Sequence, residues 1–265
     1  MNFLILIVFS IMFQSVVFGH GLRSHEPISK IYDERRFKSK LSLSTEQIIE
    51  QIRREGFVVE EITKSPLSGS WARYFKDNKV QGKYFSPYDS LPEVNQPTLL
   101  LIDLDDRWTL LHEYLHGLFD QVRHQSDENF SNKTLEAQKN AREHFLEIYP
   151  KRKSVEHRSD IIKAFNDFVQ TEIKLSMNLS IEEIMIESIL IDIFRKNLDP
   201  FLNHKQYLVA VNYRNYNLQI ILGHLDVFFR INEELKSLVI FDEDKKILSD
   251  IENDLTQLKY SVMNL

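Results

Sequence analysis

Apolar residues recur at helical spacing along most of the chain after residue 107. Repeats at intervals of three and four residues predict helices over about 107–124, 132–148, 154–176, 180–197, 205–235 and 242–262. Another helix is expected over 45–55, because Ser44 is a favourable N-cap and Gly56 a favourable stop. Segments 57–62 and 98–104 are short aliphatic runs that favour strands.

The stretch from 65 to 97 is rich in proline and aromatic residues and shows no sustained period. It predicts irregular structure with short strands. Together the elements indicate an α+β fold that is predominantly helical. No internal repeat or convincing linker divides the chain, so we expect a single domain over 20–265.

An almost unbroken apolar run covers residues 3–18, which is typical of a signal peptide. Val17 and Gly19 suit the −3 and −1 positions of a cleavage site after Gly19. We therefore expect a signal peptide over 1–19 and an exported protein, secreted or periplasmic, without membrane contact after cleavage. An uncleaved signal anchor is the alternative, because no Lys or Arg precedes the apolar run.

Composition narrows the chemistry. The 265 residues include no cysteine, which excludes disulfides, a thiolate zinc site and a cysteine nucleophile. Any metal would therefore bind to histidines and carboxylates. The formal net charge of −6 gives no electrostatic reason to expect nucleic acid as a partner.

The segment His112–His116 has the sequence HEYLH and matches the HExxH zinc-binding pattern. Histidines four residues apart lie on one face of a helix, where both imidazoles can bind one Zn²⁺. Glu113 directly follows the first histidine, where it can act as general base on a water activated by the metal. The surrounding helix is strongly apolar, so these three polar side chains need partners.

A third ligand is expected from another helix. Phe119 and Val122 stand where the extended metzincin motif needs Gly and His. The apolar helix near 181–194 carries Glu183 in an apolar sector and Glu187 one turn later, and buried carboxylates there need a positive partner.

Glu183 is the first candidate for this ligand, with Glu187 then holding a ligand histidine. If Ser180 instead begins a capping box with Glu183, Glu187 becomes the ligand. Glu182 or another histidine is the remaining option.

Five further residues are weaker candidates. His224 interrupts an apolar helix, where it is either a core histidine or a hydrogen-bond donor to the developing oxyanion of a reaction. Tyr207, Tyr213 and Tyr216 are alternatives for that donor. Asp120, one turn after His116, is either a partner of the metal site or an ordinary surface carboxylate.

The set His112, Glu113 and His116 with a downstream Glu183-x-x-x-Glu187 resembles the zinc metallopeptidases of the gluzincin type. The resemblance implies a zincin-like fold, with a small sheet packed on the active-site helix and 98–104 as one of its strands. It also implies Zn²⁺ as cofactor and a peptide or protein as substrate. Many of these enzymes have Asp where this chain has Glu187.

Two other functions remain open at this stage. One is a non-catalytic helical protein of the cell envelope that binds a partner through the aromatic stretch 71–88. The other is a zinc-binding protein with a zincin-like fold but without peptidase activity.

Overall fold

The structure is a computed structural model that describes residues 34–87, 94–124, 130–174 and 176–264. The predicted signal peptide and its signal-anchor alternative lie outside these residues. Among the described residues the helices are α1 (Glu34–Lys38), α2 (Thr45–Arg54), α3 (Ser68–Asn78), α4 (Arg107–His124), α5 (Phe130–Ile148), α6 (Arg158–Lys174), α7 (Ser176–Arg195), α8 (His204–Lys236) and α9 (Asp242–Met263). The strands are β1 (Val58–Glu61), β2 (Gly82–Phe85) and β3 (Thr98–Leu101).

The predicted α+β class with a helical majority is confirmed. At α2 the local signals act as expected. The Ser44 hydroxyl accepts a hydrogen bond from the Gln47 N–H at 3.3 Å, and the Gln47 side chain accepts one from the Ser44 N–H at 2.9 Å. Gly56 follows the helix with a φ of 90°, a left-handed conformation that favours glycine.

The prediction of irregular structure over 65–97 missed one helix, and several predicted element boundaries differ from the observed ones by a few residues. Residues 65–97 contain helix α3, which no periodic pattern or side-chain N-cap announces. Tertiary packing stabilises it, because Phe75 is buried and the Trp71 ring packs edge-on against Phe85, with ring centroids 4.7 Å apart. Helix α7 begins at Ser176 and not at residue 180.

The sheet has the strand order β1-β3-β2. Strand β1 pairs with β3 in parallel, whereas β2 pairs with β3 in antiparallel fashion. Every residue of β3 is buried, which explains its continuous aliphatic sequence. Strand β2 forms one edge of this described sheet.

Helix α4 lies directly against the sheet because two glycines leave room for it. A Cβ at Gly82 would come within 2.4 Å of Thr109 Cγ2, and one at Gly117 within 2.3 Å of Phe57 Cε1. Real Cβ atoms do not approach so closely. The predicted packing of a small sheet on the HExxH helix is therefore present, and it requires glycine on both surfaces.

The chain divides into two compact units. The sheet unit contains the described residues up to His124 and Met185–Arg214, and the helical unit contains Asn129–Ile184 and Asn215–Leu265 as far as they are described. The helical unit has an aromatic and aliphatic core that includes Phe145, Phe165 and Phe228. The division falls inside α7, which is one continuous helix. A single domain over 20–265 stays a prediction.

None of the described helices combines the length and apolar character needed to cross a membrane.

The close contact at Gly117 predicts that alanine lowers stability at this glycine but not at an exposed one. Gly117→Ala should lower the free energy of unfolding by about 1–3 kcal/mol, because the buried Phe57 ring cannot give way. Gly69→Ala is the matched control, since Gly69 is exposed and has nothing within 4 Å of its Cβ position. That control should change stability by less than about 0.5 kcal/mol in urea unfolding. Equal effects of the two changes would contradict the close packing.

Candidate metal centre

Helix α4 begins at a well-defined cap. The Asp106 carboxylate accepts hydrogen bonds from the Thr109 N–H at 3.1 Å and the Thr109 hydroxyl at 2.8 Å. Next to it the buried Arg107 donates to Asp199 at 2.8 Å and to the Leu43 carbonyl at 2.7 Å. The start of α4 is thereby held in place, and with it the register of the motif that follows.

The two motif histidines converge on one point. His112 Nε2 and His116 Nε2 lie 3.1 Å apart, and the ring centroids are 4.9 Å apart. Two nitrogens bound to one tetrahedral Zn²⁺ at ~2.0–2.1 Å would lie ~3.3 Å from each other. The predicted helical spacing therefore produces a pair of nitrogens at a separation that suits a shared metal ion.

Glu187 orients the first histidine. Its Oε1 lies 3.1 Å from His112 Nδ1, and its Oε2 accepts a hydrogen bond from Trp108 Nε1 at 3.2 Å. A proton on Nδ1 that faces this carboxylate leaves Nε2 as the nitrogen that can bind a metal. Glu187 is 5% exposed, so both contacts are shielded from water. The structure thus gives Glu187 the orienting role expected if Glu183 is the ligand.

Glu183 completes the group. Ligand atoms of His112, His116 and Glu183 all lie within 4.8 Å of one another, so these three residues could hold a metal ion. Glu183 precedes Glu187 by one turn on the continuous helix α7, and it is held there by that helix. The three candidate ligands named from the sequence are the ones the structure brings together.

The alternatives for the third ligand fare differently. Ser180 lies inside α7 and not at its N-cap, so the capping-box interpretation of Glu183 is wrong. Glu187 contacts Nδ1 of His112 instead of joining the ligand group. Glu182 is buried, and it does not belong to that group either.

The motif glutamate is placed by the sheet. Glu113 is 7% exposed, and its Oε2 accepts a hydrogen bond of 2.6 Å from the backbone N–H of Tyr84 on β2. A Cβ at Gly82 would lie 3.0 Å from Glu113 Cγ, so the strand passes immediately over this side chain. The candidate base thus has a defined hydrogen-bond donor, the Tyr84 backbone N–H.

The opposite side of the motif is anchored by a network that sequence reasoning missed. The Tyr114 hydroxyl donates to Glu55, which also pairs with Lys40 at 2.5 Å and Arg36 at 2.6 Å. Burial opposes ionisation of Glu55, but the hydrogen bonds from Lys40, Tyr114 and Arg36 outweigh it and lower the pKa of this carboxyl. Burial and the bond to Glu55 raise the pKa of Tyr114. No local pattern announces a fully buried lysine.

Asp120 is not a surface carboxylate. It is 1% exposed, and its Oδ2 accepts hydrogen bonds from the Tyr84 hydroxyl at 2.7 Å and the Ser86 hydroxyl at 2.6 Å. Neither Tyr84 nor Ser86 was singled out from the sequence. The one indication in the sequence is the position of Asp120 on the apolar face of a predicted helix, where a carboxylate needs hydrogen-bond donors.

The remaining candidates are not part of the ligand group. His224 lies on α8 in the helical unit, and its buried Nε2 has no hydrogen-bond partner among the described residues. Burial lowers the pKa of His224. Tyr207 accepts a hydrogen bond from Arg195 Nε at 3.2 Å, whereas Tyr213 and Tyr216 are exposed. A catalytic role for any of these four stays a prediction.

Comparison of the chain with known protein families, with curated proteins and with solved structures finds no match.

Substitutions on α7 should separate ligand from orienting residue. Glu183→Gln should weaken Zn²⁺ binding most, because it replaces a ligand carboxylate by an amide. Glu187→Gln should weaken binding by about 10–100-fold through loss of the orienting carboxylate. Asp192→Asn is the matched control, since Asp192 is an exposed carboxylate of the same helix. Titration calorimetry measures all three, and a larger loss in Glu187→Gln than in Glu183→Gln would reverse the assignment.

His224 should make the protein less stable in acid. Its lowered folded pKa means that the unfolded chain binds more protons below the ordinary pKa of ~6.5, so stability falls as pH drops through that value. Urea unfolding at pH 7.5 and pH 5 should therefore show a smaller loss in His224→Gln than in the original chain. His144→Gln changes an exposed histidine of the same unit and serves as control. Equal losses in the original chain and His224→Gln would contradict the buried placement.

Proposed function

We propose that the protein is an exported zinc metallopeptidase with a zincin-like fold of the gluzincin type. The observation that carries the proposal is the convergence of His112, His116 and Glu183, with Glu113 directly after His112 in the motif. Two imidazoles and one carboxylate are the donor set of a catalytic zinc site that keeps a position open for water or substrate. The apolar run over residues 3–18, which is typical of a signal peptide, supports export.

The side chains of this group and of its neighbours have the chemistry that Zn²⁺ binding requires. Glu187 holds His112 in the tautomer that presents Nε2, and the Nε2 atoms of both histidines lie 3.1 Å apart. A bound Zn²⁺ would polarise the scissile carbonyl and lower the pKa of water towards ~7. The chain has no cysteine that could offer a competing thiolate.

Glu113 supplies the proton transfers. Its carboxylate takes a proton from the attacking water and later passes that proton to the leaving amine. The Tyr84 N–H binds Oε2 at 2.6 Å, so we assign the proton transfers to the second oxygen, Oε1. Because Glu113 is buried, solvent does not screen this exchange.

The position of β2 supports a peptide as the substrate. It is an edge strand of the described sheet, it contacts α4, and Tyr84 links it to Glu113. Extended peptides bind to such edges by main-chain hydrogen bonds, here through main-chain groups other than the Tyr84 N–H, which Glu113 occupies. His224 is retained as the candidate hydrogen-bond donor to the developing oxyanion.

The alternative of partner binding through 71–88 has weaker support. In the described part of that stretch, Phe75 and Phe85 are buried, and the rings of Trp71 and Tyr74 pack on them or on each other. These aromatic residues stabilise the sheet unit and offer little surface to a partner. Zinc binding without peptidase activity is the other alternative, and peptide hydrolysis by the zinc-loaded original chain would exclude it.

Glu113→Gln separates catalysis from metal binding. The amide retains the size of the side chain but cannot accept the proton, so hydrolysis of a broad peptide library should fall to background. Zinc content should stay at about one ion per chain, because the ligands are unchanged. The assay combines cleavage-site mass spectrometry with metal analysis.

The control is Glu50→Gln, which changes an exposed glutamate of α2 in the same unit. It should retain both zinc and hydrolysis. Undiminished hydrolysis in Glu113→Gln would refute the mechanism. A zinc-loaded original chain that cleaves no peptide would refute the proposed function itself.

A further inference from the structure

Three residues of α4 face β2 at positions 113, 117 and 120. Their spacing of four and three residues places them along one face of the helix. Glu113 and Asp120 are thus two helical turns apart, a rise of about 10.5 Å. Both are carboxylates, both are buried, and the glycine between them has no side chain.

Tyr84 contacts all three positions. Its backbone N–H donates to Glu113 Oε2 at 2.6 Å, and its hydroxyl donates to Asp120 Oδ2 at 2.7 Å. Its ring lies over Gly117, where a Cβ would come within 3.2 Å of Tyr84 Cε2. One residue therefore holds the strand to the helix at two points that lie on either side of the glycine.

The attachment at Asp120 is built for a charged acceptor. Asp120 is 1% exposed, and Ser86, two residues further along the chain, donates to the same Oδ2 at 2.6 Å. A buried carboxylate is costly unless hydroxyl or N–H groups meet it, and such bonds are short and strong. The strand thus cannot slide along α4 without breaking two charge-assisted hydrogen bonds.

We propose that Tyr84 and Asp120 are positioning residues for Glu113. Asp120 anchors the tyrosine side chain, the anchored side chain fixes the backbone of β2, and the backbone N–H holds the Glu113 carboxylate. This inference rests on the proposed function for its catalytic consequence. The positional coupling itself is a property of the metal-free chain.

Tyr84→Phe tests the coupling directly. The variant retains the backbone N–H and the ring that packs on Gly117, and it removes only the hydroxyl that binds Asp120. Tyr114→Phe is the matched control, because it removes a hydroxyl of the same helix that binds a different carboxylate, the half-buried Glu55.

The first readout does not depend on activity. In the metal-free full chain with ¹⁵N-labelled Tyr and Phe, the amide proton of residue 84 reports its bond to Glu113. We expect this proton to move upfield in Tyr84→Phe, towards its position in Glu113→Gln, and to exchange about tenfold faster. Tyr114→Phe should leave it unchanged. An unchanged residue-84 amide in Tyr84→Phe would overturn the proposal, whatever the loss of stability.

The second readout is catalytic. In the zinc-loaded protein, Tyr84→Phe should lower kcat by about 10–100-fold with KM and zinc content unchanged. Asp120→Asn, whose amide oxygen still accepts both hydroxyls, should retain far more activity than Asp120→Ala. Equal losses in these two variants, or an equal loss of kcat in Tyr114→Phe, would overturn a positioning role.

The two readouts also separate this inference from the proposed function. If the original chain hydrolyses no peptide, the proposed function fails and the amide measurement alone decides the coupling. If the original chain is active but Tyr84→Phe leaves the amide and kcat unchanged, the coupling fails and the peptidase proposal stands.

Discussion

The candidate site depends on the direct contact between α4 and the edge strand β2. Only glycine at positions 82 and 117 lets the helix and the strand approach so closely. That approach brings a backbone N–H of the strand to 2.6 Å from Glu113 and a tyrosine hydroxyl to 2.7 Å from Asp120. A larger residue at either glycine would move the strand and with it the groups around the motif.

Burial of charge is the second constraint, and it explains the number of polar contacts along α4. Moving a carboxylate out of water costs several kcal/mol unless hydrogen bonds replace its hydration. Asp199 receives two N–H groups of Arg107, and Asp120 receives two hydroxyls. Glu187 contacts Trp108 Nε1 and His112 Nδ1, and the half-buried Glu55 receives donors from three side chains. These bonds hold α4 at its start through Arg107, through Tyr114, and along the side that faces β2. The helix that carries the candidate ligands His112 and His116 is therefore anchored at several points.

The types of ligand residue in the candidate site favour metal binding. His112, His116 and Glu183 form a group suited to a metal, and Glu187 acts on the opposite nitrogen of His112. His112, His116 and Glu183 are half-buried on two apolar helices, where polar side chains need partners, so their convergence argues for a common positive partner. Glu113 directly follows His112 and is not a member of this group, which is consistent with the proton-transfer role proposed for it.

Much of this arrangement could be predicted from the sequence, because it depends on local spacing. The interval of four residues between His112 and His116 determines that both imidazoles share a helix face, and carboxylates in the apolar helix α7 marked Glu183 and Glu187. Helix α3, the pairing of Tyr84 with Asp120 and the network around Lys40 were not visible. They join residues 36 positions apart, or depend on packing that overrides weak local propensity. The sequence by itself thus determined which residues could bind a metal. Only the tertiary structure decided which hydrogen-bond donors contact the carboxylates of α4 and α7. The reason is that hydrogen bonds between distant segments follow from packing and not from periodicity.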